Sequence, residues 1–118
     1  MTHPVLDRDL LHRLMDGISA VAATPEGGVN RPALTHEDAQ ARDWLRQRFD
    51  DLGMRTVIDP IGNMFGILDL AGADAPCVMT GSHLDSQPDG GRFDGAYGVV
   101  AGLAAAAAIR EAHTKGVF

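Results

Sequence analysis

His83, Asp85, Asp89 and Asp94 stand together with five glycines in the stretch GSHLDSQPDGGRFDGAYG, residues 81–98. Such a stretch suits either a solvated acidic loop or a metal site. His83 and Asp85 are two residues apart, so in extended chain both side chains point the same way. A carboxylate beside an imidazole can hold one ring N–H, fix the tautomer and present the other nitrogen to a metal. Asp94 follows across SQPDGGRF, a loop long and flexible enough to fold it back onto the same point. Gly90, Gly91 and Gly95 permit positive φ or a close backbone approach. One imidazole with carboxylates favours Zn, Mn, Co or Ni over Ca, which prefers oxygen alone. Spacing alone leaves both readings open, because Asp/Gly-rich segments are commonly plain turns. Two ligands also fall short of the three or so that a catalytic zinc takes from its protein.

The elements around the stretch follow from periodicity. Leu10, Leu11, Leu14, Met15, Ile18 and Val21 recur at helical spacing, which predicts an amphipathic helix over about 6–22. TPEGGVNRPALT breaks it with a loop long enough to suggest a role beyond connection. Thr35 with Asp38 predicts a capping box for a helix that places Ala41, Trp44, Leu45, Phe49 and Leu52 on one side, with Gly53 just past its end. MRTVID and NMFGILDL alternate and carry β-formers, so they read as two strands joined through PIG. CVMTGS is a continuous apolar run, which predicts a strand buried on both faces. GVVAGLAAAAAIREAH then reads as a helix whose alanines allow close packing. Strand, glycine-rich loop and tightly packed helix form the grammar of an α/β domain, where ligands gather beyond the carboxyl ends of the strands.

Composition bounds the partners. The 118 residues, 45% apolar, suit one domain over 1–118, and a formal charge of -6 without a Lys/Arg cluster argues against nucleic acid. The N-terminus lacks a signal-peptide core, and VVAGLAAAAAI is too short to span a bilayer, so no membrane partner is expected. Cys77 is the only cysteine; it reads as a small packed residue, and a reducing, cytoplasmic setting is the simpler one.

GSHLDSQPDGGRFDGAYGVVAGL closely resembles the metal-site signature of the hydantoinase/carbamoylase amidases, which include N-carbamoyl-L-amino acid hydrolases, β-ureidopropionases and allantoate amidohydrolases. RPALTHEDAQARDWL and DPIGNMFG resemble the same family, so the likeness runs in one register from about Val29 to Leu103. It implies an α/β fold: the N-terminal portion of a dinuclear metallopeptidase-like catalytic domain, a mixed sheet flanked by helices, with the insertion/dimerisation domain absent from this stretch. It implies that His83 ligates one of two divalent metal ions (Zn, or Mn, Co or Ni), that Asp94 bridges both, and that Asp85 is the catalytic carboxylate orienting His83. It further implies a cis peptide between Asp94 and Gly95, a small-molecule ureido or amide substrate, and a homodimer of the full-length protein. HLDSQP with RFDGAYG lies nearer the carbamoyl-amino-acid and ureidopropionate members than the allantoate members. The family's other ligands, a Glu and two His, and its general-base Glu lie downstream of the matched stretch. Glu111 and His113 match none of them, so the chain reads as part of a longer enzyme, inactive alone. The alternative is a non-catalytic binding or assembly module that keeps half of a metal site.

Other candidates have plainer readings. His3, His12 and His36 read as solvated, His113 as a partner of its helix dipole, and Trp44 as core. Arg92 could face a substrate carboxylate, although a surface role is the simpler one. Gln87 suits a turn as well as a substrate contact, and Asp89 suits an Asx-type turn before Gly90.

Overall fold

The computed structural model describes residues 2–117. Among them, three helices and one hairpin follow in the order α1 (Arg8–Ser19), α2 (His36–Asp51), β1 (Arg55–Ile58), β2 (Met64–Ile67) and α3 (Ala96–Thr114). The core joins Leu14, Met15 and Ile18 of α1, Ala41, Leu45 and Phe49 of α2, Leu84, and Ala96, Val100 and Leu103 of α3. Trp44 packs against this cluster, half-buried, where Gly17 brings α1 up to its ring.

Helix α1 starts later than its periodicity predicts because the Asp7 carboxylate caps it, accepting from Leu10 N at 3.0 Å. Helix α2 is capped by Thr35, whose hydroxyl accepts from Asp38 N at 3.2 Å and donates to the Pro32 carbonyl at 2.6 Å. The capping box is shifted by one residue: the Asp38 carboxylate reaches back to Leu34 N rather than to Thr35 N, which is bound by the Pro32 carbonyl. Thr35→Ala is therefore expected to cost about 1 kcal/mol, read as a lowered midpoint in thermal denaturation. The far end closes as a Schellman motif, with Met54 N bonded to Phe49 O at 2.9 Å and Gly53 N to Asp50 O at 3.0 Å, Gly53 at φ 68. Arg110 of α3 donates to the Leu52 carbonyl and ties this end to the third helix.

The two strands pair antiparallel, Arg55 opposite Ile67 and Ile58 opposite Met64. Gly66 lets the hairpin lie against α2: a Cβ there would stand 2.5 Å from the Phe49 ring. The connecting loop is built on the Asp59 carboxylate, which accepts from Asn63 Nδ2, Asn63 N and Ile61 N at 2.8, 2.8 and 3.1 Å. The Asn63 side chain foremost, helped by these amides, holds the Asp59 carboxyl below the usual carboxylate range. A lowered folded-state pKa stabilises above the unfolded value and is lost as pH falls through the folded one. The loop is thus expected to stay intact at pH 5 and to open only below about pH 4, followed by the Asn63 side-chain amide signals.

CVMTGS departs from its expected form. It is extended but joins no sheet among the described residues, and Val78 and Met79 are 102% and 77% exposed. An apolar run becomes a buried strand only where neighbours offer a backbone ladder on its edges and side chains on its faces. Among the described residues no strand pairs with it, and α3 lies along it. Gly98 and Gly102 of that helix face Ser82 and Thr80 so closely that a Cβ on either would lie 2.7 or 3.1 Å from those side chains. The segment therefore runs along a glycine face of α3 with its other side open. Cys77 is exposed with it, against the expectation of a packed residue.

Candidate metal centre

The open segment delivers His83 to the N-terminus of α3. Leu84, the next residue, is buried in the core and anchors the turn of chain there. His83 and Asp85 then project to the same side, as alternation in extended chain requires. His83 Nδ1 donates to the Asp85 carbonyl at 3.0 Å and lies 3.3 Å from the Asp85 carboxylate. Both groups facing Nδ1 are acceptors, so in the neutral ring the proton sits on Nδ1 and Nε2 keeps its lone pair. Nε2 faces the Asp94 carboxylate at 3.8 Å.

Two metal–ligand bonds of about 2.0–2.2 Å span at most about 4.3 Å, so this gap fits one cation held between Nε2 and Asp94. The donor types fit as well, an imidazole with its tautomer fixed and a carboxylate with no competing protein cation in contact. The side chains of His83, Asp85 and Asp94 are 51%, 44% and 81% exposed, so the pair opens to solvent. Among the described residues no set of three His, Cys, Asp or Glu side chains gathers around one point. Two donors are what the chain places here.

Gly95 makes the approach possible. Its φ and ψ are 72 and -56, and Ala96 N bonds back to Asp94 O at 2.8 Å, a γ-turn that starts α3 without a side-chain cap. A Cβ at Gly95 would overlap both the carbonyl and the imidazole of His83. The Asp94–Gly95 peptide is trans, contrary to the expected cis bond. The γ-turn, not a cis bond, brings the Asp94 side chain round toward His83 here. Gly95→Ala is expected to cost roughly 2–4 kcal/mol through backbone strain and overlap and to displace the ring, read by thermal denaturation and by the His83 proton signals.

Arg31 is the residue that sequence reasoning missed. It is 1% exposed, the one charged side chain buried in the core among the described residues. Its Nε donates to Leu84 O at 2.6 Å, and its Nη1 donates to Ile18 O and Val21 O at 3.1 and 2.9 Å. Its backbone meets Ser86: Arg31 N donates to Ser86 Oγ, and Ser86 N to Arg31 O, both at 3.0 Å. Burial lowers its pKa, while the Asp38 and Asp85 charges raise it. The only sequence signal was the unusual length of the loop that carries it. That loop also pairs Val29 with Gly90 through two backbone bonds of 2.8 and 2.9 Å, fixing both ends of the 84–90 turn.

The remaining candidates keep surface or turn roles. Arg92 lies over the Phe93 ring, 4.4 Å from its centre, and 3.8 Å from the Asp16 carboxylate. The Gln87 carbonyl closes the turn by accepting from Gly90 N at 3.1 Å, and Asp89 takes φ 53 within it.

No family model matches the chain. Individual proteins do. A Mycolicibacterium smegmatis protein with hydrolase in its name is 51% identical over 112 residues, 95% of this chain and 25% of its own length. An N-carbamoyl-L-amino acid amidohydrolase of Geobacillus stearothermophilus is 39% identical over 80% of this chain and 23% of itself. Among solved structures, a hydantoinase/carbamoylase family amidase from Burkholderia ambifaria superposes with a TM-score of 0.86 at 46% identity, over 91% of this chain and 26% of that one. The chain thus spans about a quarter of the length of the relatives it matches.

Proposed function

The chain is a relative of the hydantoinase/carbamoylase family amidases over about a quarter of their length, and from that kinship we propose that the whole protein hydrolyses a linear, non-peptide C–N bond with metal-activated water. The substrates we propose are N-carbamoyl-L-amino acids or N-carbamoyl-β-alanine. The observation that carries the reading is the free Nε2 of His83 facing the Asp94 carboxylate, with Nδ1 tied to Asp85.

Each residue then has a task. His83 Nε2 and the Asp94 carboxylate are the residues of this chain that would hold a divalent cation in a two-cation centre. Bound divalent cations supply a water acidified toward neutrality and a positive field for the oxyanion of the ureido carbonyl. Asp85 keeps the His83 proton on Nδ1, so that Nε2 stays a donor to metal. The remaining ligands and the group that accepts the water's proton come from outside residues 1–118. Addition of water and cleavage of the C–N bond would release the amino acid and a carbamate, and the carbamate would then lose CO2 to leave ammonia. No helix among the described residues is long and apolar enough to cross a membrane; we place the enzyme in the cytoplasm, as a homodimer.

Ammonia release from ureido acids, assayed on the whole protein with added Zn, Mn, Co or Ni, tests the proposal. No release from any ureido acid or from allantoate, with metal content confirmed, overturns it. A second reading, a binding or assembly module, draws on the two-donor set. Stoichiometric partner binding by a whole protein without hydrolysis would favour it.

A further inference from the structure

A buried cation whose hydrogen bonds go to backbone carbonyls is a costly thing to keep in a core. Arg31 is one, and its contacts surround a single residue. The guanidinium holds the carbonyl of Leu84, before Asp85, and the Arg31 backbone holds Ser86, after it. The other arm of the guanidinium grips Ile18 O and Val21 O, at and just past the end of α1. The two peptide groups of Asp85 are therefore fixed relative to α1. Those peptides set where the Asp85 carbonyl points, and that carbonyl is the acceptor 3.0 Å from His83 Nδ1. His83 itself is half-exposed, and among the described residues only the carbonyl and the carboxylate of Asp85 face Nδ1.

We propose that Arg31 is the positioning residue of the candidate site: its two-sided clamp on Leu84 and Ser86 holds the Asp85 carbonyl against His83 and so keeps the ring proton on Nδ1. The planar fork is what the task needs. A lysine carries charge to one point, whereas Arg31 spans a helix end and the site segment at once. The inference rests on the metal-site reading only for the use made of Nε2. The tautomer can be read without any metal, so loss of tautomer control and loss of metal binding are separate outcomes.

Nitrogen-15 spectra of the imidazole rings in the 118-residue chain, metal-free and at about pH 8, make the test. In the unmodified chain the His83 ring should show the Nδ1–H pattern; an Nε2–H pattern overturns the proposal. In Arg31→Met and in Arg31→Lys that pattern should be lost in favour of mixed tautomers, while the Gly66 signals, shifted by the Phe49 ring, report that α2 and the hairpin remain folded. A folded Arg31→Met or Arg31→Lys chain that keeps the Nδ1–H pattern overturns the proposal. If both substitutions unfold the chain, Ser86→Ala decides, because it removes the Oγ that accepts from Arg31 N, one of the two bonds on that side of the clamp, and leaves Arg31 in the core. A partial loss of the Nδ1–H pattern is then expected, and an unchanged pattern overturns the clamp.

Discussion

In the whole protein, Asp94→Asn should lower turnover of ureido substrates by on the order of 10³-fold while leaving the fold intact. The two effects separate because Asp94 serves the structure and the site through different atoms. Its backbone carbonyl closes the γ-turn with Ala96 N, and asparagine retains that group. Its carboxylate is 81% exposed and among the described residues pairs only with His83 Nε2, so its loss should move stability by less than about 0.5 kcal/mol. What disappears is the negative charge that the proposed cation pair would need from Asp94. The Asn amide keeps one oxygen donor but presents a neutral amino group where the second oxygen stood. Asp89→Asn is the matched control, one carboxylate removed from the same loop at a left-handed position that Asn tolerates, and should leave turnover unchanged. Near-normal turnover of Asp94→Asn, with an unaltered melting midpoint, removes Asp94 from the site.

Helices, hairpin and the His83–Asp94 approach were legible because each rests on a local rule. Thr35 and Asp38, Gly53, and the alternating strands announce caps, a helix end and a hairpin within a few residues of themselves. His83 and Asp85 share a side because extended chain alternates. Three features escaped, each for a nonlocal reason. CVMTGS has the composition of a buried strand, but a strand needs neighbours, and the described residues offer it one helix face. The Asp94–Gly95 geometry depends on a γ-turn that any Asp–Gly pair could equally avoid. Arg31 looks in sequence like any loop arginine before a proline, and only the folded chain reveals that carbonyls 10 to 53 residues away converge on it.

The 118-residue chain on its own is expected to show no hydrolysis and to bind zinc weakly. Complete zinc sites with four ligands release about 10–16 kcal/mol on binding. Half of the donors leave about half of that, which corresponds to a dissociation constant of roughly 1 µM or weaker. His83 and Asp94 are the two donors, and no third His, Cys, Asp or Glu closes on them among the described residues. Both are also open to water, which competes for the cation and screens the carboxylate. The same openness bears on association. Residues 76–83 are exposed throughout, with Val78 and Met79 bare and no ladder partner for their backbone. An extended apolar segment with free N–H and C=O groups is a template for pairing with a second chain. Self-association through that segment should therefore appear as protein concentration rises, and a charged residue at Val78 or Met79 should suppress it without touching His83 or Asp94. Calorimetric titration with zinc beside light scattering reads both halves. Tight one-to-one binding by a monomer would mean that donors other than His83 and Asp94 build the centre, and a chain that stays monomeric at high concentration would mean that the open face of CVMTGS is tolerated by water.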